Sequence, residues 1–198
     1  MEAHIAVRGV QPHGVSELLV SVPDHDGLFA SITSVLDEMG FNVLAARILT
    51  TKDGRSFDLF QLMDQQDNLI NQQDAADLVE RLQAATTAAE VRPLVKRAMP
   101  RRLRHFVSHP LIRFEPDPEG MGTILELECN DRPGLLSEIT GAISSRNGNI
   151  TKAEVTVTDA WVRATAPRQT ATEVFMTLTS SGDLAFVRAA SPVAGIVE

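Results

Sequence analysis

The chain has 198 residues, of which 43% are hydrophobic, and a formal net charge of −8. This length holds one large domain or two small ones of about 90 residues each. The excess of acidic residues, 26 against 18 basic ones, argues against a nucleic-acid-binding protein that relies on a general positive field, without excluding a local patch. No apolar run approaches the roughly 18 residues of a membrane span, and the first residues lack a secretory signal. With a single cysteine, Cys129, suited to a reducing compartment, the sequence predicts a cytoplasmic protein that contacts neither nucleic acid nor a membrane.

Hydrophobic periodicity predicts the elements of the first half of the chain. Residues 1–15 show little periodicity and are interpreted as a lead-in. After them come a strand over 17–22, a helix over 28–39, strands over 42–51 and 56–63 and a helix over 74–87. In the third of these strands, apolar Phe57 and Leu59 alternate with polar Asp58. The order β-α-β-β-α is most of a ferredoxin-like βαββαβ unit, whose closing strand is expected within 106–114.

A strand, a glycine turn and a helix start occur twice in the chain, in the same frame. Gly27 in the first copy matches Gly134 in the second, and the next residue in both copies is leucine. An asparagine stands fifteen residues after each glycine, at Asn42 and Asn149, and each opens a further apolar strand. A unit repeated at a constant offset predicts two related domains.

The second copy departs from the first after its second strand. The segment 172–175 matches 57–60 only if the second hairpin holds eight extra residues. The rest of the chain is then too short for a full copy: 184–190 could form two helical turns and 193–197 a short strand, so the second unit is predicted to be incomplete or altered. The predicted organisation is a lead-in at 1–15, a first unit at 16–90, a basic connector and closing strand at 91–122, a second unit with an enlarged hairpin at 123–182 and an atypical tail at 183–198.

Three motifs resemble a known family. They are the turn segment 24–29 with the stretch 46–55 after it, the connector 100–106, and the turn segment 131–136. Together they resemble tandem ACT domains. More closely, residues 17–157 resemble the C-terminal regulatory region of the bifunctional uridylyltransferase/uridylyl-removing enzyme family, whose members modify the PII nitrogen-signalling protein.

The resemblance implies an α+β protein of two ferredoxin-like ACT units that senses an amino acid, glutamine foremost, in nitrogen metabolism. Its implied partners are that amino acid and a PII-type protein or a catalytic partner, with ACT–ACT pairing within the chain or in a homodimer. Two alternatives stay open: a free-standing tandem-ACT regulator that acts through protein contacts, and a remnant that binds nothing. The basic run between residues 92 and 104 is better explained as a solvated helix end and linker than as an anion site.

The tail resembles a second family. Residues 157–198 are similar to the start of a periplasmic copper-chaperone domain of the PCuAC type. In that family the first His and Met ligands follow just after this point, so the resemblance implies no copper site here. We predict no cofactor.

The two glycine turns are the candidate ligand sites. A helix N-terminus offers free N–H groups and a positive dipole end to a ligand carboxylate, and a nearby Asp or Asn oxygen can accept the ligand ammonium. The other interpretation is that the glycines only permit tight packing. We expect the turn at Gly27 and the strand start at Asn42 to meet at one edge of the sheet. The predicted ligand-binding residues are Asp24, His25, Gly27, Leu28, Asn42, Val43, Asn130, Asp131, Gly134, Leu135, Asn149 and Ile150.

No catalytic or metal site is predicted. His25 and Asp26 are adjacent, as in HD-type metal sites, but they lie in a strand–helix turn without the other ligands. His105 and His109 have no acid or thiol beside them. The sequence has neither a spaced acidic pair for magnesium-dependent phosphoryl transfer nor a G-x-S-x-G elbow.

Overall fold

The computed structural model describes residues 3–10, 14–87, 110–118, 120, 122–160 and 169–179. The strands are β1 His4–Val10, β2 Val15–Pro23, β3 Asn42–Thr50, β4 Arg55–Met63, β5 Leu111–Pro116, β6 Thr123–Asn130, β7 Asn149–Ala160 and β8 Gln169–Thr179. The helices are α1 Leu28–Glu38, α2 Gln72–Thr87 and α3 Leu135–Ser144. The strands form one antiparallel sheet in the order β1-β2-β4-β3-β7-β8-β6-β5. The α+β class is confirmed, and so are the helices and strands predicted up to residue 158, except for the closing strand of the first unit.

The two units join side by side through β3 and β7. Arg47 stands opposite Glu154 in this pairing, and its guanidinium donates to the Glu154 carboxylate at 3.1 Å. In the helix layer, the hydroxyls of Thr33 on α1 and Thr140 on α3 lie 2.8 Å apart. Both pairs join residues 107 positions apart, which is the offset of the sequence repeat. The units are therefore related by a local two-fold axis. Of the two predicted alternatives, pairing within the chain or in a homodimer, the structure shows pairing within the chain.

The repeat extends to irregularities of the backbone. The register of β3 against β4 shifts between Val43 and Ala45, and that of β7 against β8 shifts between Ile150 and Lys152, the matching place. A β-bulge at equivalent positions bends both strands in the same way.

The strand registers correct the predicted length of the second hairpin. Leu59 pairs with Arg47 in the first unit, and Phe175 pairs with Glu154 in the second, so Phe175 takes the place of Leu59. The predicted match of Phe175 with Phe60 is therefore wrong by one position. The insertion in the second hairpin is one residue longer than the expected eight, and each residue of β8 takes a place in the sheet one position earlier than predicted.

The outermost strands differ from the prediction. The lead-in contains β1, which pairs with β2 and so fills the place in the first sheet that the closing strand was expected to take. The strand found near the predicted closing position, β5, pairs with β6 of the second unit instead. In each unit the outer strand therefore precedes the strand it pairs with. A short antiparallel connection requires less ordered chain than a return from the far side of a helix.

Among the residues whose burial the structure describes, most of the buried apolar side chains belong to the first unit. The largest fully buried ones come from β2, β3, β4, α1 and α2, and are Leu18, Val20, Val22, Leu28, Ile32, Leu36, Ile48, Phe60, Leu62, Leu78 and Leu82. On the opposite face of the sheet, which none of the described helices covers and which we call the helix-free face, Leu49, Phe57 and Leu59 are 40% to 50% exposed. Among the helices that the structure describes, none is long and apolar enough to span a membrane. The basic connector, Trp161 and the predicted elements at 184–190 and 193–197 lie outside the described residues.

Candidate functional site

Both glycine turns have the same backbone geometry. Gly27 has a φ of 78° and Gly134 a φ of 76°, in the left-handed region that glycine adopts at little cost. Each glycine precedes a helix that has no side-chain cap, and the first helical N–H donates across the turn at 3.1 Å, from Leu28 to His25 and from Leu135 to Arg132. An uncapped helix N-terminus behind a turn without a side chain suits a carboxylate.

The expected meeting of the Gly27 turn with Asn42 is wrong. The Thr50 hydroxyl at the far end of β3 donates to Asp24 at 3.1 Å, so it is the end of β3 that lies beside this turn. Asn42 donates to the carbonyl of Asp64 at 3.3 Å, at the opposite edge of the sheet. The reason is the length of α1: its 11 residues extend about 16 Å between the two points.

The sheet instead brings each turn to the edge where the other unit's inner strand begins. At the first turn, Leu49 pairs with Lys152, so the start of β7 with Asn149 lies beside the end of β3. At the second turn, Asn130 and Thr158 both pair with Ala171 of β8, from its two sides. On its other side β7 pairs with β3, with Thr156 opposite Ala45, so the start of β3 with Asn42 lies towards this turn. The twelve predicted residues therefore form two crossed groups.

The first group joins one turn to the start of β7. Its members are Asp24, His25, Gly27 and Leu28 from the first unit with Asn149 and Ile150 from the second. The second group, built in the same way, comprises Asn130, Asp131, Gly134 and Leu135 from the second unit with Asn42 and Val43 from the first. Asn149 uses its side-chain oxygen to accept the N–H of Ile150 at 2.9 Å, which orders the start of β7.

The first turn is held in place by hydrogen bonds to three elements. The Asp24 N–H donates to Gly54 at 2.9 Å, which ties the turn to the β3–β4 hairpin. His25 places Nε2 3.2 Å from the carbonyl oxygen of Thr86, near the C-terminal end of α2, and Nδ1 3.1 Å from that of Asp26. Burial raises the pKa of Asp24, and the hydrogen bond from Thr50 opposes this rise. A cation beside Asp24 would oppose this rise and favour its ionised form.

Sequence reasoning missed a buried carboxyl below this turn. The alternation in the strand over 56–63 predicts that Phe57 and Leu59 lie on one face of the sheet and Asp58 on the other, but it does not predict which face the helices cover. In the structure Asp58 is fully buried on the helix side, while Phe57 and Leu59 are exposed. Burial raises the pKa of Asp58 to about 7, with Asp24 adding to the rise and the Ser56 hydroxyl opposing it. Ser56, one of its neighbours on the same face, was a usable signal, because a serine next to a buried carboxyl can donate to it.

The second turn faces a carboxylate of the first unit. A Cβ built on Gly134 would lie 2.9 Å from Oδ2 and 3.2 Å from Oδ1 of Asp37, so glycine is needed for this close approach. Asp37 is buried near the end of α1. Arg132 in the same turn forms an ion pair with Glu138. A carboxylate is thus already in place beside the N-terminus of α3.

The other side chains near the second turn offer no reactive group. Burial raises the pKa of Cys129 to about 11, which keeps this thiol protonated and unreactive. In the part of the chain that the structure describes, no three His, Cys, Asp or Glu side chains cluster as a metal site would require. The arrangement suits noncovalent binding of a small charged molecule.

Comparisons with known proteins agree with this geometry. The chain is 32% identical over 150 residues to the bifunctional uridylyltransferase/uridylyl-removing enzyme of Xanthomonas axonopodis, and 31% identical over 143 residues to that of Vibrio parahaemolyticus. The alignments cover 76% and 72% of this chain but only 17% and 16% of the relatives. Among solved structures, aspartate kinase from Synechocystis aligns with a TM-score of 0.45 at 13% identity, over 83% of this chain and 24% of that one, a likeness too distant for inference.

The ACT domain family model matches residues 16–86 and 123–179. These two segments contain both glycine turns, and the second ends with β8, so the enlarged hairpin belongs to the second ACT unit. The two matches agree with the two units that the sheet and the local two-fold axis define. The chain belongs to the ACT domain family, with two ACT units in tandem.

Proposed function

We propose that this chain is a regulatory amino-acid-sensing module of nitrogen metabolism, and that glutamine is its ligand. One observation carries the proposal: both ACT units place an uncapped helix N-terminus behind a left-handed glycine, at the sheet edge where the other unit's strand begins. The similarity to the uridylyltransferase/uridylyl-removing enzymes supports nitrogen metabolism as the setting. A regulatory role, rather than catalysis, fits a site that offers dipoles and carboxyls but no activated nucleophile.

The proposed binding mode uses both units. In the first group, the ligand carboxylate accepts from the N–H groups at the start of α1, next to Gly27. Its ammonium lies near Asp24, and its side-chain amide reaches the backbone at Asn149 and Ile150. A ligand that contacts both units stabilises their pairing, and this gives a physical route from binding to regulation.

Thermal unfolding with and without amino acids tests the proposal. Glutamine at 100 times its Kd adds about 2.7 kcal/mol to the free energy of unfolding of the folded chain. We expect a raised melting temperature with glutamine, and no rise in Gly27→Asp, whose carboxylate repels the ligand's. Gly14→Asp is the matched control, since Gly14 has a similar φ of +66° and nothing lies within 4 Å of an added Cβ. If no proteinogenic amino acid at millimolar concentration shifts the native melting temperature, the sensing role is ruled out.

A second candidate function, regulation through protein contacts, is favoured by the exposed apolar side chains Leu49, Phe57 and Leu59 on the helix-free face. These residues adjoin one another in β3 and β4, because Leu49 pairs with Phe57. A PII-type protein is the partner to test. Retention of purified PII-type protein by the native chain, but not by Phe57→Lys, would support this function, whereas equal retention by both would remove the surface from consideration.

A further inference from the structure

Asp58 is an ionisable side chain that the fold buries without fully satisfying. It lies on β4 between Val20 on β2 and Ile48 on β3, and all three are at most 1% exposed. Its Oδ1 accepts from the Ser56 hydroxyl. Its Oδ2 is buried and has no hydrogen-bond partner among the residues that the structure describes. An unpartnered buried carboxyl oxygen is costly, so its retention in a well-packed core calls for a functional explanation.

A line of polar side chains connects this carboxyl with the first turn. At the rim, the Thr50 hydroxyl donates to Asp24 at 3.1 Å. Thr50 stands directly opposite Ser56 in the β3–β4 pairing, and Ser56 donates to Asp58. The side chains of these four residues lie on the helix side of the sheet, where α1 begins. They form what we call the polar line: Asp24, Thr50, Ser56 and Asp58.

The second unit does not repeat the polar line. At the rim it keeps an acid, Asp131, and Thr172 takes the register position of Ser56. Val157, however, stands where the first unit has Thr50, and Val174 stands where it has Asp58. The backbone is repeated, but two of the four polar positions are valine in the second unit.

The carboxylate beside the turn is also not repeated. Asp37 of the first unit lies against the second turn, whereas the position equivalent to Asp37 at the end of α3 is Ser144. The second turn thus has an acid where a ligand carboxylate would bind and no polar line for an ammonium group. Both differences favour the first turn as the place for a zwitterion.

We propose that the polar line is the receptor for the ammonium group of the bound amino acid, that only the first turn binds a ligand, and that binding expels the proton of Asp58. This rests on the proposed amino-acid-sensing function and adds the choice of site and the coupling to protons. The O–H bond of the Asp58 carboxyl breaks, the proton passes to solvent, and the ligand ammonium keeps its own protons. Two carboxylates, Asp24 and Asp58, then face one cation.

The direction of this coupling follows from electrostatics. Without a cation, burial and the negative charge of Asp24 favour the protonated form of Asp58. A nearby ammonium favours the ionised form. Directly opposite Asp58, the neighbouring strands place apolar Val20 and Ile48, and Thr50 on β3 is polar but not titratable. The first two turns of α1 contain no titratable residue, and α2 buries Leu78 and Leu82. Burial is thus the main reason that Asp58 stays protonated, and Asp24 is the titratable group that adds to this effect.

Calorimetric titration of glutamine, in buffers of different ionisation enthalpy, measures the protons released on binding. For the native chain we expect the proton release to grow from near zero at pH 8 towards about one proton at pH 6. Below pH 7 the affinity for glutamine should therefore fall by up to about tenfold for each unit by which the pH is lowered. Asp58→Asn should bind at least about tenfold more weakly at pH 8 and release no proton. Thr50→Val, which copies the second unit, should weaken binding as well. Asp77→Asn, an exposed acid of α2, is the matched control and should behave as the native chain.

The outcomes separate this proposal from the proposed function. If glutamine binds the native chain and Asp58→Asn with the same affinity and the same proton release, the receptor role is overturned while amino-acid sensing stands. If binding occurs at two sites per chain, the restriction to the first turn is overturned. If no amino acid binds the native chain, both proposals fall. A native chain with proton-linked binding, together with a folded Asp58→Asn that lacks it, supports the receptor.

Discussion

The first and second ACT units have the same backbone arrangement and differ in the side chains at equivalent positions. The left-handed glycine, the helix without a side-chain cap and the bulge in the inner strand occur at equivalent places in both. The positions that would contact a ligand do not match: Asp58 and Thr50 of the first unit correspond to Val174 and Val157 of the second. The comparison teaches that a repeated fold can keep its pairing while the side chains at equivalent positions change.

The two units also depend on each other unequally. The Asp37 side chain of the first unit lies against Gly134 in the second turn, so the first unit places a carboxylate beside the N-terminus of α3. The equivalent residue of the second unit is Ser144, which has no charge, so the second unit places no carboxylate from this position beside the first turn. The local two-fold axis therefore relates two backbones whose side chains differ at the turns.

The largest expected effect concerns the pH dependence of stability through Asp58. Its folded-state pKa of about 7 lies above the unfolded value of 3.8, so its contribution to stability is fully present below the unfolded pKa and is lost as pH rises towards 7. The loss is on the order of 4 kcal/mol, at about 1.4 kcal/mol per pKa unit. Urea unfolding of the native chain and Asp58→Asn between pH 4 and pH 8 should diverge by such an amount.

Asp77→Asn controls for the removal of an acid as such and should follow the native profile, because Asp77 is exposed on α2. Parallel profiles of the native chain and Asp58→Asn would show that Asp58 is not a buried titrating group. The difference between the two units at this position would then carry no electrostatic meaning.

A medium effect is expected where the units touch at Gly134. Gly134→Ala must adopt a left-handed backbone and also displaces Asp37, since the new Cβ would lie 2.9 Å from Oδ2. The backbone alone costs roughly 1–2 kcal/mol. Gly54→Ala has a similar positive φ but nothing within 4 Å of the added Cβ, so it isolates the backbone cost.

We expect Gly134→Ala to lose about 1 kcal/mol more than Gly54→Ala in urea unfolding, the cost of a crowded buried contact. Asp37→Ser, which copies Ser144 of the second unit, should remove most of that excess in the double variant. Equal losses for the two glycine variants would mean that Asp37 moves aside freely and does not constrain the second turn.

A smaller effect is expected for the hydroxyl pair on the local two-fold axis. Thr33 and Thr140 are both at most 2% exposed and lie 2.8 Å apart between α1 and α3. Thr33→Val removes this hydrogen bond and leaves the Thr140 hydroxyl with its bond to Ser137 at 3.2 Å. We expect a loss of about 1 kcal/mol in the free energy of unfolding. No loss would place the stability of the pairing elsewhere, in the β3–β7 strand contact.

The smallest effect is expected for the ion pair on the same axis. Arg47 and Glu154 are 74% and 60% exposed, so water and salt screen their attraction. Arg47→Ala should change the free energy of unfolding by less than about 0.5 kcal/mol, and added salt should reduce this difference further. A loss of unfolding free energy as large as that of Thr33→Val would show that this exposed ion pair contributes to the pairing of the units as much as the hydroxyl pair between the helices does.

Local signals in the sequence were sufficient for most elements of both units. The glycine after Asp26 and the glycine after Pro133 each mark a strand–turn–helix junction, because the left-handed backbone is decided within a few residues. The repeat at constant offset predicted two units. These features depend on neighbours in sequence, and the structure reproduces them.

The features that sequence reasoning missed depend on contacts between distant segments. Which strand lies beside β2 is a choice between β1 and β5, and nothing in either segment states its partner. The crossed arrangement of Asn42 and Asn149 follows from the β3–β7 pairing, which no single unit encodes. The face on which Asp58 lies is likewise decided by which side of the sheet the helices cover.

The stoichiometry and pH dependence of glutamine binding test the central claim most directly. Calorimetric titration of the native chain at pH 7 should give one site per chain, with proton release that Asp58→Asn abolishes. Two equivalent sites per chain, or one site whose proton release is unchanged in Asp58→Asn, would contradict the claim that the first unit alone keeps the ligand chemistry.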